Sequence, residues 1–234
     1  MVKQAFPQVT VKQIPKDELS FEDFIRSFYF FESPSFSKED GERSKMYQAQ
    51  VKRKKLESSF TNVEDFYKSL DVQVDFYKDY EEHVSRISQL SNKTNQFNLT
   101  TKRYSEDDIK CFMESNDSNV FSLSARDKFG NNGITGVCIT KNRNGVIHID
   151  SLFLSCRIIG RGIEKSFLAY VLDTVADGKV ESEFIKTAKN QLVENFFDDL
   201  NFTVLDSNEE HKKYSFDTIS GKLEHPAWIS WSAK

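Results

Sequence analysis

The chain has 234 residues, of which 38% are hydrophobic and 29% are charged, a composition typical of a globular protein that can bury a core. Its formal net charge of −4 argues against nucleic acid as the main partner, because binding to the phosphate backbone needs a basic face. No apolar stretch approaches the roughly 20 residues of a membrane-spanning helix, and the N-terminal residues lack the apolar centre of a signal peptide. We therefore expect a cytoplasmic protein without a membrane partner.

The three cysteines argue against a disulfide framework and against a bound metal. Cys111, Cys138 and Cys156 are scattered, without a Cys-x-x-Cys pair and without histidines at metal-ligand spacing. Cys111, on a predicted helix, and Cys138, in a predicted strand, are interpreted as core residues. No metal site is expected.

Residues 1–71 are predicted to form a helical arm or linker. An apolar stripe begins near Asp17, and Ser37 to Asp40 has the form of a capping box before a charged helix. The run Lys52 to Lys55 on that helix is interpreted as a solvated face rather than a binding patch.

Residues 72–234 are predicted to form the compact domain, because after Pro34 the next proline is Pro226. The predicted strands cover residues 72–76, 120–125, 135–139, 146–154, 184–185 and 202–205. Apolar positions predict helices around Val84–Leu90 and Ser105–Met113, over 163–177 and over 190–200, before a closing segment at 228–231. This order indicates an α+β fold.

A glycine-containing loop follows the most apolar predicted strand, Val146–Leu154. It reads Arg157-Ile158-Ile159-Gly160-Arg161-Gly162, and a predicted helix starts directly after it. Glycines let backbone N–H groups approach a ligand closely, and a helix N-terminus adds unpaired donors with partial positive charge. Arg157 and Arg161 could add charge-assisted contacts to the same anion. The plainer interpretation is an ordinary helix N-terminus; the strand before the loop and the helix after it favour an anion site.

The loop resembles the Gln/Arg-x-x-Gly-x-Gly/Ala motif of the GNAT acyltransferase superfamily. The resemblance extends to Lys186–Asn190 and Asn195–Phe202. It implies a GNAT-like α+β fold, with a central mixed, mostly antiparallel sheet flanked by helices, and a coenzyme A contact at Asn190. The sequence departs from the family at Phe197, where a tyrosine general acid is frequent, and at Asn201, where glycine is usual.

A narrower resemblance is to the C-terminal, GNAT-like half of FkbH-like proteins. It is carried by Gln89–Ser105, Ile149–Ser151 and Ser155–Gly162, and it covers the chain from about residue 72 onward. Such proteins typically join this half to a HAD-type phosphatase half and load a glyceryl unit onto an acyl carrier protein. The resemblance implies coenzyme A or a phosphopantetheine arm as the thioester carrier, and an acyl carrier protein and a separate HAD-type phosphatase as partners. Residues 1–71 resemble the tail of the HAD-type half, but no Asp-x-Asp motif is present in the sequence, so phosphatase activity is not expected.

Polar residues in the first of these strings are predicted to bind the acyl group. They are Asn92, Thr94, Asn95, Gln96, Asn98 and Thr100. Amide and hydroxyl groups can hydrogen-bond a small hydroxylated acyl group, and such sites discriminate well between substrates. The alternative is a loop whose Asn and Thr residues cap helices and shape turns.

Two residues are predicted to be catalytic. Asp150 lies near the centre of the predicted strand, where a buried carboxylate needs a partner or a role, and it could act as a base. His148 shares its strand face, but we interpret it as a half-solvated histidine. Cys156 directly precedes Arg157, where the helix dipole favours a thiolate that could accept and pass on an acyl group; the alternative is an inert thiol.

The remaining donor contacts are assigned to the backbone. N–H groups near Phe153 and Leu154 are predicted to hold the thioester carbonyl, and the Gly160–Gly162 loop the phosphate. The sequence thus predicts an acyltransferase of small, glyceryl-type acyl groups. The alternatives are a non-catalytic module that docks a carrier protein or a separate phosphatase, and a plain GNAT N-acetyltransferase.

Overall fold

The structure is a computed structural model that describes residues 10–15, 17, 20–27 and 43–234. The capping box expected at Ser37–Asp40 lies outside these residues. The chain divides into two units between residues 42 and 43. In the first unit, α1 (Phe21–Arg26) is a short helix with no buried residue. No helix in the described part of the chain has the length and apolar character needed to span a bilayer.

The second unit contains the sheet and the other helices. The helices are α2 (Arg43–Glu57), α3 (Val63–Ser69), α4 (Val84–Lys93), α5 (Glu106–Glu114) and α6 (Ile163–Val175). The strands are β1 (Val72–Lys78), β2 (Phe97–Asn98), β3 (Ser118–Asp127), β4 (Gly130–Arg143), β5 (Val146–Leu154), β6 (Lys179–Ile185), β7 (Thr203–Ser207), β8 (His211–Asp217) and β9 (Ile229–Ala233).

All nine of these strands belong to one sheet, in the order β7-β8-β6-β5-β4-β3-β1-β9, with β2 added to β5. The β5–β6 and β1–β9 pairs are parallel, and the other pairs are antiparallel. One face packs against Phe167 and Leu168 of α6 in the larger apolar cluster, and the other against Ile87 of α4 and Ile109 of α5. The predicted α+β class, a mixed and mostly antiparallel sheet flanked by helices, is confirmed.

Local sequence signals set most of these elements. Ser105 and Asp108 form the capping box of α5, in which each side chain accepts from the other residue's backbone N–H. The helix predicted over 190–200 is wrong: two 3₁₀ turns, Gln191–Val193 and Asp198–Leu200, take its place. Asn201 follows the second turn with φ of 61°, the left-handed conformation that ends a helical segment.

Strand β5 contains an extra residue at its centre. In its pairing with β4, Ile149 lies opposite Thr140 and Ser151 opposite Ile139, so Asp150 has no partner. Such a bulge bends a strand and redirects its side chains. Before the bulge β5 pairs with β6 at Ile147–Ile149, and after it β5 pairs with β2 at Phe153–Leu154.

Helices α2 and α3 pack in the same unit as the sheet. Arg53 of α2 is buried and forms a bidentate ion pair with Asp127, at 2.6 and 2.8 Å. The solvated face expected for Lys52–Lys55 is therefore wrong for Arg53, which points inward while its lysine neighbours are exposed. The domain boundary expected at residue 71 stays a prediction.

We expect Asp127→Ala to lower the free energy of unfolding by about 3–5 kcal/mol, because removing one partner leaves buried charge without compensation. The Asp127 side chain is 1% exposed and also contacts Arg161 at 3.1 Å. Urea denaturation measures the change. Asp173→Ala, which removes an exposed ion pair with Lys222, is the control and should cost less than about 1 kcal/mol. Equal costs for the two variants would contradict the role of Asp127.

His225 is expected to make stability fall in weak acid. Its Nδ1 lies 2.7 Å from Ser166 Oγ, its ring stacks on Trp231, and its Nε2 is buried without a hydrogen-bond partner among the described residues. Burial lowers its pKa below the ordinary 6.5, so the unfolded chain takes up the proton first. The contribution of His225 is thus complete above about pH 6.5 and is lost as the pH falls below it. Melting temperatures between pH 7.5 and 5 should fall less for His225→Gln than for the wild type; parallel curves would contradict this account.

Candidate functional site

The bulge in β5 brings a set of hydroxyl groups onto one carboxylate. Asp150 Oδ2 accepts from the Tyr104 hydroxyl at 2.7 Å, and that hydroxyl lies 2.6 Å from Ser151 Oγ. Thr100 Oγ1 lies 2.9 Å from the same serine oxygen. The segment between β2 and α5 therefore packs its polar side chains against the centre of β5. We call Thr100, Lys102, Tyr104, Lys141, Asp150 and Ser151 the Asp150 cluster.

Two lysines neutralise the same carboxylate. Asp150 Oδ1 lies 3.2 Å from Lys102 Nζ and 3.0 Å from Lys141 Nζ, and its side chain is 7% exposed. Burial acts to raise the pKa of Asp150, but the Tyr104 hydrogen bond and the lysines outweigh it, and the pKa lies below its ordinary value. Asp150 is therefore ionised at neutral pH, a charged acceptor rather than a strong base.

Tyr104 is held in its protonated form. Burial is the main reason that the pKa of its hydroxyl is raised, and the Asp150 carboxylate raises it further. The hydroxyl can therefore donate to Asp150 while remaining next to Ser151 Oγ. Tyr104, Lys102 and Lys141 were not among the residues predicted from the sequence. The first two lie close to the polar residues predicted between Asn92 and Thr100, and this proximity in sequence was the signal that could have found them.

A cavity of about 300 Å³ opens beside the Asp150 cluster. Its lining includes Lys102, Asp150, His148, Glu183 and Lys213. Lys102 Nζ also contacts Glu183 at 3.2 Å, and Glu183 lies 3.3 Å from His211 Nε2. Burial is the largest of the effects that lower the pKa of His148. The two residues predicted on one strand face, His148 and Asp150, thus do line one cavity.

Most of the predicted acyl-binding residues make local contacts. Asn98 is buried, and its amide donates to Thr94 O and accepts from Thr101 N–H. Asn92 donates to Ser88 O, and Asn95 accepts from Arg103. Gln96 is exposed. Thr100 alone of the six belongs to the Asp150 cluster, and the acyl-binding role of the others stays a prediction.

The part of β5 at which the thioester contacts were predicted is paired with neighbouring strands on both edges. Leu154 lies opposite Phe97 of β2 on one edge and Gly136 of β4 on the other, and Phe153 lies opposite Asn98 and Val137. Leu99 continues this segment and accepts from Ile185 N–H of β6. Residues 97–99 therefore fill the gap where β5 and β6 diverge. The carbonyl contacts predicted for Phe153 and Leu154 stay a prediction and require residues 97–99 to move.

Asn190 is buried with its amide in use. It donates to Asn98 O at 3.0 Å and to Ile185 O at 2.9 Å, and it accepts from Thr187 N–H at 2.7 Å. The first two bonds tie the end of β6 to β2. The coenzyme contact predicted for Asn190 would have to replace bonds that hold the fold.

Other segments of the chain contact the loop from Arg157 to Gly162, although Gly160 is exposed. Tyr67 of α3 donates to Gly160 O, and Trp228 Nε1 donates to Arg161 O at 2.8 Å. Arg161 pairs with Asp127, and Arg157 contacts Met46 Sδ at 2.9 Å. Gly160 and Gly162 have φ of 80° and 79°, values that glycine adopts more readily than other residues, and this explains why glycine occurs at both positions.

A carboxylate of the chain lies next to this loop. Burial is the largest cause that raises the pKa of Glu164, in the first turn of α6, while the nearby backbone N–H groups of Glu164, Gly162 and Gly160 act to lower it. Its Oε2 is buried without a hydrogen-bond partner in the described part of the chain. The anion contact predicted at this loop stays a prediction, and the Glu164 carboxylate lies close to the same N–H groups.

The cysteines occupy different environments. Cys156 is exposed beside the loop, so a thioester could reach its thiol. Cys138 is buried, as expected, and burial raises the pKa of its thiol. Cys111 is exposed, so its interpretation as a core residue is wrong. Among the described residues no group of three or more His, Cys, Asp or Glu side chains could hold a metal ion.

No protein-family model matches the chain, and no curated protein matches it by sequence. Solved structures similar to it include several acetyltransferases. The ribosomal-protein-S18-alanine N-acetyltransferase from Escherichia coli is 11% identical with a TM-score of 0.46, over 62% of this chain and 93% of that chain. An acetyltransferase from Thermus thermophilus is 11% identical with a TM-score of 0.47, over 63% and 99% of the two chains. The PaiA N-acetyltransferase from Thermoplasma acidophilum, solved in complex with coenzyme A, is 13% identical with a TM-score of 0.43, over 62% and 98%. At such identities and TM-scores, no residue role carries over to this chain.

We expect Glu164→Gln to increase binding of pyrophosphate at the loop, because the variant removes the carboxylate that competes for its amide donors. Calorimetry with pyrophosphate compares the variant with the wild type. Glu194→Gln, which changes a partly exposed carboxylate paired with Lys186, is the matched control. Equal affinities for all three proteins would show that Glu164 does not hold the anion position.

Proposed function

We propose that this chain contains an acyltransferase domain that accepts a small acyl group from a thioester of coenzyme A or of a carrier-bound phosphopantetheine arm. The observation that carries the proposal is the Asp150 carboxylate, fixed at a strand bulge between Tyr104 and two lysines and facing a cavity of about 300 Å³. Perturbed titratable groups that converge in a cavity are typical of catalytic sites. The volume suits a small acyl group rather than a long acyl chain.

In this proposal Asp150 orients the acyl group or the accepting nucleophile through a charge-assisted hydrogen bond. Tyr104 and the two lysines keep the carboxylate ionised and fixed, as a preorganised site requires. The tyrosine that many GNAT enzymes use as a general acid is absent, since Phe197 is buried among Phe202 and Tyr214. The proton for the leaving thiolate must therefore come from another group, such as one that lies close to the thiolate.

Cys156 is proposed as the residue that carries the acyl group between donor and acceptor. The Cys156 thiol loses its proton, and the thiolate attacks the carbonyl carbon of the donor thioester. An acyl–sulfur bond forms at Cys156 and the acyl–sulfur bond of the donor breaks. The donor leaves as a thiol after taking up the proton that Cys156 lost. A second exchange passes the acyl group to a carrier thiol. Exposure of Cys156 beside the loop supports this role.

The second candidate is a non-catalytic module that docks a carrier protein or a separate HAD-type phosphatase. It is favoured because parts of the chain fill the space in which an acyl thioester would bind. Residues 97–99 fill the gap between β5 and β6, and Glu164 lies close to the backbone N–H groups of the loop. A plain N-acetyltransferase would use the same Asp150 cluster with an amine acceptor.

Intact-mass analysis tests these proposals. We expect acyl addition after incubation with acetyl-coenzyme A or a glyceryl-loaded carrier protein, and no addition in Cys156→Ala. The control is Cys111→Ala, which changes the other exposed cysteine and should gain the same mass as the wild type. Asp150→Asn should lower the transfer rate about tenfold or more, because the variant removes the charge from the orienting hydrogen bond. Mass gain that persists in Cys156→Ala would remove the thiol from the mechanism. Carrier binding without any acyl transfer would establish the docking module instead.

A further inference from the structure

The lining of the cavity beside Asp150 holds equal numbers of cations and carboxylates. Its charged residues are Lys102, Arg143, Lys213, Asp150, Glu181 and Glu183, and His148 also lines it. Two further lysines pair with these carboxylates from outside, Lys141 with Asp150 at 3.0 Å and Lys179 with Glu181 at 2.7 Å. Because carboxylates of the lining are paired from outside, cations of the lining are left without a carboxylate of their own, which favours an anionic ligand.

The carboxylates of the cavity are already satisfied. Asp150 contacts two lysines, Glu183 contacts Lys102 and His211, and Glu181 contacts Lys179 and lies 3.6 Å from His148. A cationic ligand would compete with these lysines and histidines for the carboxylates. An anion would not.

Two cations of the lining have no such partner. Arg143, at the end of β4, and Lys213, in β8, form no ion pair with any carboxylate that the structure describes. Asp206 lies opposite Lys213 across the β7–β8 pair, but the two form no ion pair either. Arg143 offers a planar fork of donors that fits a carboxylate or phosphate, and Lys213 offers a point charge on the same cavity.

We propose that this cavity binds the carboxylate or phosphate group of a small metabolite between Arg143 and Lys213, with the rest of the molecule directed toward Asp150. A volume of about 300 Å³ admits a molecule of a few carbon atoms. Binding of the anion stands on the cavity alone. That the anion is part of the substrate rests on the proposed acyl transfer.

Binding can be tested without any thioester. Inorganic phosphate and malonate serve as probes of the two anion types, and malonamide serves as an uncharged analogue of malonate. Calorimetry gives the affinities, and proton NMR of the His148 imidazole reports ligand entry, because a bound anion beside it should raise its pKa. We expect at least one of the two anions to bind, and malonamide not to bind.

Variants locate the site. Arg143→Gln combined with Lys213→Gln should weaken anion binding about tenfold or more, since each loses a charge-assisted contact. Lys222→Gln, which changes a lysine that lines a different cavity, should leave it unchanged. Binding of phosphate alone or of malonate alone supports the proposal and assigns the group. The proposal falls if neither anion binds, if malonamide binds as well as malonate, or if the double variant binds like the wild type.

The two proposals fail separately. Anion binding that disappears in the double variant, in a protein that transfers no acyl group, would leave the site standing and remove its link to catalysis. Acyl transfer that proceeds in a protein without anion binding would remove the site and leave the transferase.

Discussion

A bulge in β5, formed by one extra residue relative to β4, determines the geometry of the candidate site. Because Asp150 has no partner across the β4–β5 pair, β5 bends at this point, and its carboxylate meets Tyr104, Lys102 and Lys141. The same bend ends the pairing with β6 after Ile149. The bulge thus creates both the polar cluster and the gap beyond it. A regular strand would pair Asp150 within the ladder and would keep β6 alongside β5.

The gap and the loop next to it are closed by the chain itself. Residues 97–99 occupy the space between the diverging β5 and β6 with backbone hydrogen bonds, and the Asn190 amide links Asn98 O of that segment to Ile185 O of β6. At the loop, the Glu164 carboxylate lies close to the backbone N–H groups, and Arg161 is paired with Asp127. A phosphopantetheine ligand would therefore exchange intramolecular contacts for its own, so donor binding and local rearrangement are coupled in the proposed reaction.

Elements with a strong period or cap were predictable. Strand β5 and helix α6 follow from apolar runs, and α5 from the Ser105–Asp108 capping box. Strand β8 was missed because His211–Asp217 is mostly polar and pairs along its full length only with β6. The helix expected at 190–200 failed because Asn190 uses its side chain to shape a turn, a contact that no helical period reveals.

The sequence by itself determined the α+β order, the glycine loop and the position of Asp150 inside an apolar strand, because periodicity, glycine conformation and the residues of one strand are local properties. The tertiary structure decided which groups surround that carboxylate. Tyr104 and Lys141 reach Asp150 only through the register of β5 with β4 and the path of the segment after β2. It also decided that Glu164 and Arg161 serve the fold at the loop. Register and burial arise from contacts between residues distant in sequence, which local patterns do not encode.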